Sequence, residues 1–318
     1  MIDQYGRSIT YLRISVTDLC NMRCVYCMPE HGVEKRTHRE ILSTEEIVEI
    51  ARAAVSLGVY KLRITGGEPL VRRGICELCA QLAAIDGVKE LCLTTNGVLL
   101  EELARPLKDA GVTRVNVSLD SLDPEKFHRL TRTGDLDQVI RGIRAAEAAG
   151  LTPLKLDTVI MGGWNDDEIP AMVEMTRDRD FDIRFIELMP IGEAARLHAD
   201  AFLPCDVVLE RVPELVPCPR ERSGVARMYR LPDGKGRVGL ISPLSSHFCG
   251  DCNRIRLTAD GKLKPCLHSS DEIPLRGLHG EALRKTLEDV MYHKPAQHGV
   301  LSSVSHSEAG RNMNQIGG

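Results

Sequence analysis

The chain has 318 residues, of which 43% are hydrophobic and 27% are charged, the composition of a globular protein. Its 41 basic and 45 acidic side chains leave a formal net charge of −4, which argues against a nucleic-acid-binding surface or a polybasic membrane anchor. It has no run of about 18 apolar residues and no signal-peptide layout at the N-terminus, so we expect no membrane association and a cytoplasmic location.

Strand and helix patterns alternate along the first part of the chain. Apolar runs predict strands over residues 10–16, 61–65, 90–94, 114–119, 154–160 and 182–188. Helical patterns occupy 43–58, 75–85, 99–110, 136–149 and 166–179, the first of them opening with a capping box at Ser43–Glu46. Strands joined by helical crossovers predict a parallel sheet. Six units leave a barrel open where eight would close it, so we predict an α/β fold with an open partial (β/α)6 barrel. A doubly wound sheet is the alternative.

The alternation ends after Pro204. Alternating runs over 228–231 and 238–241 flank Asp233-Gly234-Lys235-Gly236, a sequence that suits a hairpin turn. We therefore expect a barrel domain over residues 1–220 and a smaller module over 221–318 that lies across the barrel opening.

Eleven cysteines are the unusual feature of the composition. An odd count without an export signal disfavours a disulfide framework and favours metal or cluster ligation. Cys20, Cys24 and Cys27 form a C-x3-C-x2-C loop after the first predicted strand. Three thiolates on a four-iron cluster leave one iron open for an exogenous ligand. Zinc is the alternative, with His31 as the nearby fourth ligand.

A second triplet follows in the C-terminal part, where Cys249, Cys252 and Cys266 form a C-x2-C-x13-C arrangement. Taken alone, this spacing favours a zinc ribbon with His268 as the fourth ligand. An iron–sulfur site elsewhere in the chain shifts the expectation toward a second cluster.

The first cysteine loop and its surroundings resemble the radical S-adenosylmethionine (SAM) superfamily. The resemblance lies in Leu12-Arg13-Ile14-Ser15-Val16-Thr17-Asp18-Leu19-Cys20 and in Thr65-Gly66-Gly67-Glu68-Pro69. We expect the two glycines to bring backbone close to a ligand and to leave N–H groups free for it. The resemblance implies that SAM binds the open iron and is cleaved to a 5′-deoxyadenosyl radical.

The C-terminal motifs resemble the molybdenum cofactor biosynthesis protein A family of GTP 3′,8-cyclases. They are Phe248-Cys249-Gly250-Asp251-Cys252-Asn253-Arg254-Ile255-Arg256, the stretch over 260–267, and the terminal Ile316-Gly317-Gly318. The resemblance implies a lyase with two [4Fe-4S] clusters, the second holding the guanine of GTP. In the reaction that the resemblance implies, the 5′-deoxyadenosyl radical takes hydrogen from C3′ of the ribose. The C3′ radical then attacks C8 of guanine.

The basic residues fit a triphosphate. Arg254 and Arg256 are two apart on a predicted strand and so share a face, and guanidinium groups match phosphate oxygens. The resemblance implies the following roles: GTP contacts at Arg13, Arg63, Thr94, Lys155, Arg254, Ile255 and Arg256; SAM contacts at Tyr26, Gly67, Ser118 and Met189; and catalytic roles for Arg13, Gly317 and Gly318. We expect the C-terminal tail to position Arg13 or another group on the GTP side.

The implied partners are GTP as substrate, an electron donor protein and a downstream cyclic pyranopterin monophosphate synthase, and a homodimer is compatible with the sequence. We expect no nucleic-acid partner. Two alternatives stay open: another radical SAM enzyme with an auxiliary cluster, and a zinc-ribbon binding module on a barrel. Of the remaining cysteines, Cys76, Cys79 and Cys92 are predicted to lie in the core, and Cys205 and Cys218 have no assigned role.

Overall fold

The computed structural model describes residues 1–37, 39–219, 224–302 and 305–317. Its strands are β1 Tyr11–Ser15, β2 Lys61–Thr65, β3 Glu90–Thr95, β4 Arg114–Ser118, β5 Leu154–Ile160, β6 Phe181–Glu187, β7 Val216–Pro217, β8 Arg227–Arg230, β9 Arg237–Ile241, β10 Arg254–Leu257, β11 Lys262–Lys264 and β12 Ile273–Pro274. Its α-helices are α1 Thr44–Ser56, α2 Ile75–Ala83, α3 Leu100–Asp109, α4 Pro124–Thr131, α5 Leu136–Ala148, α6 Ile169–Asp178, α7 Val207–Arg211, α8 Gly280–Tyr292 and α9 Met313–Ile316. The six strands predicted for the barrel are confirmed.

All these strands belong to one sheet in the order β12-β11-β10-β1-β2-β3-β4-β5-β6-β9-β8-β7. Every pairing from β10 through β1 and β6 to β9 is parallel, and short antiparallel hairpins extend both edges. Among the described strands the two edges do not pair with each other. The predicted open barrel is confirmed.

Strands from the C-terminal part extend the barrel sheet at both edges. β9 continues the sheet beyond β6, and β10 lies beside β1 with Leu12 opposite Ile255. The predicted hairpin is present as the antiparallel pair β8–β9. The expected boundary between residues 220 and 221 lies outside the described ranges. The second cysteine triplet is thereby brought next to the first strand of the barrel.

Local sequence signals explain where the helices begin. The hydroxyl of Ser43 accepts from the backbone N–H of Glu46 at 3.2 Å, and the Glu46 carboxylate accepts from the Ser43 N–H at 2.7 Å, which completes the predicted capping box. Helix α4 was not predicted. Its signal is Asp123, whose carboxylate accepts from two backbone N–H groups of the first turn, followed by proline at the first helical position.

Strand alternation separates an apolar core from a polar barrel interior. On β1, Leu12 and Ile14 are completely buried against the helices, whereas Tyr11 and Arg13 face the inside of the barrel. β10 repeats this arrangement, with Arg254 facing the interior. An interior lined by charged side chains leaves room for a polar ligand where most barrels are filled by branched apolar residues.

Candidate active site

A cavity of about 370 Å³ lies inside the open barrel. Its wall includes most of the predicted site residues, namely Arg13, Cys20, Cys24, Tyr26, Cys27, Arg63, Gly67, Thr94, Ser118, Lys155, Met189, Arg254 and Arg256. A smaller cavity of about 70 Å³ shares Met189, Arg254 and Arg256 with it and is lined by Cys249, Cys252 and Cys266. The fold therefore gathers both cysteine triplets and the basic residues around two adjoining cavities.

The first cysteine loop follows β1 and places its three thiols on the cavity wall. The Met22 N–H donates to Cys20 Sγ at 3.3 Å, and Asn96 Nδ2 lies 3.7 Å from the same sulfur. Arg23 Nη1 donates to the Cys20 carbonyl at 2.5 Å and so stabilises the conformation of the loop. Burial raises the pKa of Cys20 to about 11 and that of Cys27 to about 12. Metal binding replaces such thiol protons, so buried thiols with N–H donors around them fit an iron–sulfur cluster.

The glycine turn after β2 packs against the cysteine loop. The Gly67 N–H donates to the Thr17 carbonyl at 2.7 Å, and the Glu68 N–H donates to the Leu19 carbonyl at 2.8 Å. A Cβ at Gly67 would overlap the carbonyl oxygens of Asp18 and Leu19. The expectation that this turn leaves its N–H groups free for a ligand is therefore wrong for these two groups. Glycine is required because the cysteine loop lies directly against it.

The Glu68 carboxylate joins the ends of two strands, and it was not among the predicted site residues. One oxygen accepts from the Thr95 hydroxyl at 2.7 Å and from the Leu70 N–H at 3.0 Å. The other accepts from the Asn96 N–H at 2.7 Å. Burial raises the pKa of Glu68 to about 7. The sequence feature that could have indicated Glu68 is an acidic residue inside an otherwise uncharged glycine turn.

Tyr26, Ser118 and Met189 line the large cavity. The Tyr26 hydroxyl donates to Asp120 Oδ2 at 2.7 Å, and the Val159 N–H donates to Asp120 Oδ1 at 2.9 Å. Burial raises the pKa of Asp120 to about 6. Asp120 was also missed, although it stands two residues after Ser118 at the end of β4. Its carboxylate thereby orients the Tyr26 side chain.

Three arginines lie side by side across the barrel wall. The strand register places Arg13 opposite both Arg256 and Arg63. Burial, reinforced by neighbouring positive charge, lowers the pKa of Arg13 to about 10 and that of Arg256 to about 9. A bound anion would relieve this repulsion, so the arrangement favours an anionic ligand.

Hydrogen bonds hold the cations in this wall in place. Arg63 Nη1 donates to the Thr94 hydroxyl at 2.9 Å, and Arg63 Nε donates to the Tyr11 hydroxyl. Lys155 Nζ donates to Asp182 Oδ2 at 2.6 Å, and burial lowers the pKa of Lys155 to about 8. Tyr11 was not among the predicted site residues. The sequence feature that could have indicated it is its position two residues before Arg13, on the same face of one strand.

The second cysteine triplet is held by two buried cations. Arg7 Nη1 donates to the Cys249 carbonyl at 3.0 Å, and Lys294 Nζ donates at 2.6 Å to the carbonyl that precedes Cys266. Burial disfavours the Cys252 thiolate, but the charges of Lys294 and nearby arginines outweigh it and lower the pKa of Cys252. Thiols beside buried cations, grouped on one cavity wall, fit a site that binds metal through thiolates.

His268 lines the smaller cavity, and its Nδ1 lies 3.1 Å from the Ser307 hydroxyl. Across residues 1–37, 39–219, 224–302 and 305–317, no group of three or more His, Cys, Asp or Glu side chains has the geometry to hold a single metal ion. The contact between His268 and Ser307 connects the cavity wall to the segment that leads into the C-terminal tail.

Several sequence-predicted residues lie away from the cavity. The side chain of Ile255 is fully buried in the core on the opposite face of β10 and does not line the cavity, so its predicted contact with GTP could come only from its backbone. Cys79 and Cys92 are completely buried, as predicted. Cys205, to which no role was assigned, is a core thiol whose Sγ donates to the Phe185 carbonyl at 3.4 Å.

The C-terminal tail reaches the row of arginines. Arg256 Nη1 donates to the Gly317 carbonyl, and Ile316 is buried as an anchor. Gly317 has φ +70°, and a Cβ there would overlap Thr65 Oγ1. Only glycine fits this conformation and this space. Gly318 lies outside the described residues.

Comparisons with known proteins cover the full chain. Residues 14–176 match the radical SAM superfamily, and residues 181–300 match the Molybdenum Cofactor Synthesis C family. The GTP 3′,8-cyclase of Alkaliphilus oremlandii is 52% identical and that of Alkaliphilus metalliredigens 49% identical, each over 321 residues and the whole of both chains.

The fold is similar to that of a solved structure, Streptococcus suis SuiB bound to S-adenosylmethionine. The TM-score is 0.67 at 17% identity, and the match covers 91% of this chain and 67% of SuiB. In the part of the chain that the structure describes, none of the helices has the length and apolar character needed to cross a membrane. By its domain content and its full-length relatives, the chain belongs to the GTP 3′,8-cyclase family of the radical SAM superfamily.

Proposed function

We propose that this protein is a GTP 3′,8-cyclase that joins C3′ of the ribose to C8 of the guanine in the first step of molybdenum cofactor biosynthesis. One observation carries the proposal: two cysteine triplets and a row of guanidinium groups line two adjoining cavities. Full-length relatives named GTP 3′,8-cyclase support it.

Membership of the radical SAM superfamily implies a [4Fe-4S] cluster and SAM. In our proposal Cys20, Cys24 and Cys27 hold this cluster, and SAM contacts Tyr26, Gly67, Ser118 and Met189. Bound together, the cluster and SAM supply a 5′-deoxyadenosyl radical. The protein orients SAM through Tyr26, whose hydroxyl is tied to a buried carboxylate.

The triphosphate of GTP is proposed to bind the basic wall. Arg13, Arg63 and Arg256 lie in one row of the sheet, and Arg254 shares their cavity. Guanidinium groups make paired hydrogen bonds to phosphate oxygens, and the negative charge relieves the repulsion among these cations. The Thr94 hydroxyl accepts a hydrogen bond from Arg63 and lies beside the same guanidinium group.

A second [4Fe-4S] cluster on Cys249, Cys252 and Cys266 is proposed to hold the guanine. Support comes from the smaller cavity, in which these thiols lie beside Arg254 and Arg256. A guanine there and a triphosphate on the basic wall would place the ribose between the two cysteine loops. That is where a radical generated at the first cluster must act.

The proposal extends to partners and location. One electron cleaves SAM to give the radical, and a second electron with a proton reduces the cyclised radical to the 7,8-dihydro product. We therefore propose an electron donor protein as a partner, and we assign a cyclic pyranopterin monophosphate synthase as the consumer of the product. None of the eleven cysteines, all of which lie within the described residues, forms a disulfide, which suits a reducing cytoplasm.

The decisive experiment uses GTP deuterated at C3′ with the anaerobically reconstituted protein, SAM and dithionite. Deuterium should appear in 5′-deoxyadenosine, with one equivalent of cyclised product per deuterium transferred. A Cys20→Ser variant should abolish SAM cleavage, whereas a Cys76→Ser variant, which changes a cysteine outside the cavities, should leave it intact. Cleavage of SAM without deuterium transfer would favour a radical SAM enzyme with another substrate.

Metal analysis separates the second cluster from zinc. Iron and sulfide contents of about eight each per chain follow from two four-iron clusters, and Mössbauer spectra should show only that cluster type. Cys249→Ser should halve the iron while SAM cleavage persists. Stoichiometric zinc that disappears with Cys249→Ser would establish a zinc ribbon instead.

A further inference from the structure

Tyr11 stands at the base of the basic wall. Its side chain lines the large cavity, and the residue is only 8% exposed. The Tyr11 hydroxyl accepts from Arg63 Nε and lies 3.5 Å from the donor Arg13 Nη1. Lys61 Nζ lies 5.2 Å from the centre of its ring. One aromatic side chain therefore contacts three cations from two strands.

The hydroxyl is suited to orienting cations that must bind an anion. A carboxylate in this position would neutralise the guanidinium groups and weaken their attraction for phosphate. A phenol accepts the same hydrogen bonds without a full negative charge. Although burial raises its pKa, the charges of Arg63 and Arg13 bring the pKa of Tyr11 down to about 8, so it remains mostly a neutral phenol at pH 7.

The arrangement also fixes the Arg63 guanidinium at two points. Nε is held by Tyr11 on β1, and Nη1 is held at 2.9 Å by the Thr94 hydroxyl on β3. Arginine side chains lose considerable rotamer freedom on binding, so a group that is already oriented binds its ligand with a smaller entropy loss. A tyrosine has two side-chain torsions and is a rigid support.

We propose that Tyr11 is a positioning residue for phosphate recognition, whose hydroxyl holds Arg63 and Arg13 in the orientation that receives the triphosphate of GTP. The inference rests on the proposed function. It predicts that Tyr11 affects the binding of any polyphosphate and not the binding of the nucleoside part.

The test compares Tyr11→Phe with the wild-type protein and with Tyr292→Phe, which removes a hydroxyl from a tyrosine that is 46% exposed. Each reconstituted protein is titrated calorimetrically with GTP, inorganic tripolyphosphate and guanosine. The dissociation constants of Tyr11→Phe for GTP and tripolyphosphate should both rise about fivefold to tenfold, the size of one typical hydrogen bond, because the substitution removes a hydroxyl and leaves both arginine charges in place. Guanosine binding should not change. In turnover, KM for GTP should rise while kcat stays near the wild-type value.

A double-mutant cycle with Arg63→Ala supplies the second measurement. Because Tyr11 acts through its neighbouring arginines, Tyr11→Phe should cost less polyphosphate affinity in the Arg63→Ala background than in the wild type. Unchanged tripolyphosphate affinity, an equal loss for guanosine, or full additivity in the cycle would each overturn the inference. A wild-type protein that binds neither GTP nor tripolyphosphate would instead overturn the proposed function.

Discussion

Gly317→Ala is the most direct test of the C-terminal tail. Gly317 has φ +70°, and an added Cβ would overlap the hydroxyl of Thr65, a buried β-branched side chain with little freedom to move. The left-handed conformation costs a residue with a Cβ about 1–2 kcal/mol. Overlap with a packed neighbour costs a further ~1–3 kcal/mol.

These terms set the expected magnitude. A total of about 2–5 kcal/mol lowers the equilibrium constant for seating the tail about 30-fold to a few thousandfold. Burial of Ile316 contributes about 1.5–3 kcal/mol in favour of seating, which is of the same size as the penalty, so a substantial share of variant molecules should have a displaced tail end. Arg256 then loses the Gly317 carbonyl that it contacts. We expect the cyclisation rate to fall by about tenfold or more, with iron content and uncoupled SAM cleavage unchanged.

The assay is anaerobic turnover of GTP, with SAM cleavage measured in the same samples. Gly310→Ala is the matched control, because a Cβ there meets no atom within 4 Å. Thr65→Ala combined with Gly317→Ala removes the overlap but not the backbone strain, so it should restore part of the activity. A Gly317→Ala protein that cyclises GTP at the wild-type rate, or a Gly310→Ala protein that is equally impaired, would refute the reasoning.

Three further predictions concern single interactions. Arg254→Ala should weaken GTP binding by about tenfold or more, the loss of a charged contact worth roughly 1.5–3 kcal/mol, while both clusters persist; loss of the second cluster at unchanged affinity would make Arg254 structural. Asp120→Ala should raise the dissociation constant for SAM about fivefold, because a buried tyrosine hydroxyl loses its acceptor; equilibrium dialysis showing wild-type affinity would contradict this. Arg311 holds the pKa values of Asp260 and Glu272 at about 2, below their ordinary values near 4. The stability that these carboxylates contribute is therefore present above about pH 4 and lost as the pH falls toward 2. When the free energy of unfolding is measured against pH, Arg311→Gln should therefore show a smaller decrease over that interval than the wild type.

Local features of this protein could be predicted because neighbouring residues are joined covalently. The three cysteines over residues 20–27 converge within one loop whatever the rest of the chain does, and the capping box at Ser43 and Glu46 is complete within one helical turn. Strand alternation likewise placed Arg254 and Arg256 on one face. The same alternation places the Ile255 side chain in the core. A motif that assigns one role to consecutive residues does not show this difference.

Contacts between distant segments could be decided only by the tertiary structure. Leu12 lies beside Ile255 because β10 adds to the free edge of β1, and strand register across more than two hundred residues leaves no local signal in either strand. The same holds for Glu68, whose partners lie at the end of another strand, and for the Gly67 N–H, which the cysteine loop occupies. The sequence by itself determined which chemical groups are present and how they are spaced within each loop. Which of them meet was decided by the packing of the sheet, because hydrogen-bond partners depend on distances in space that spacing along the chain does not set.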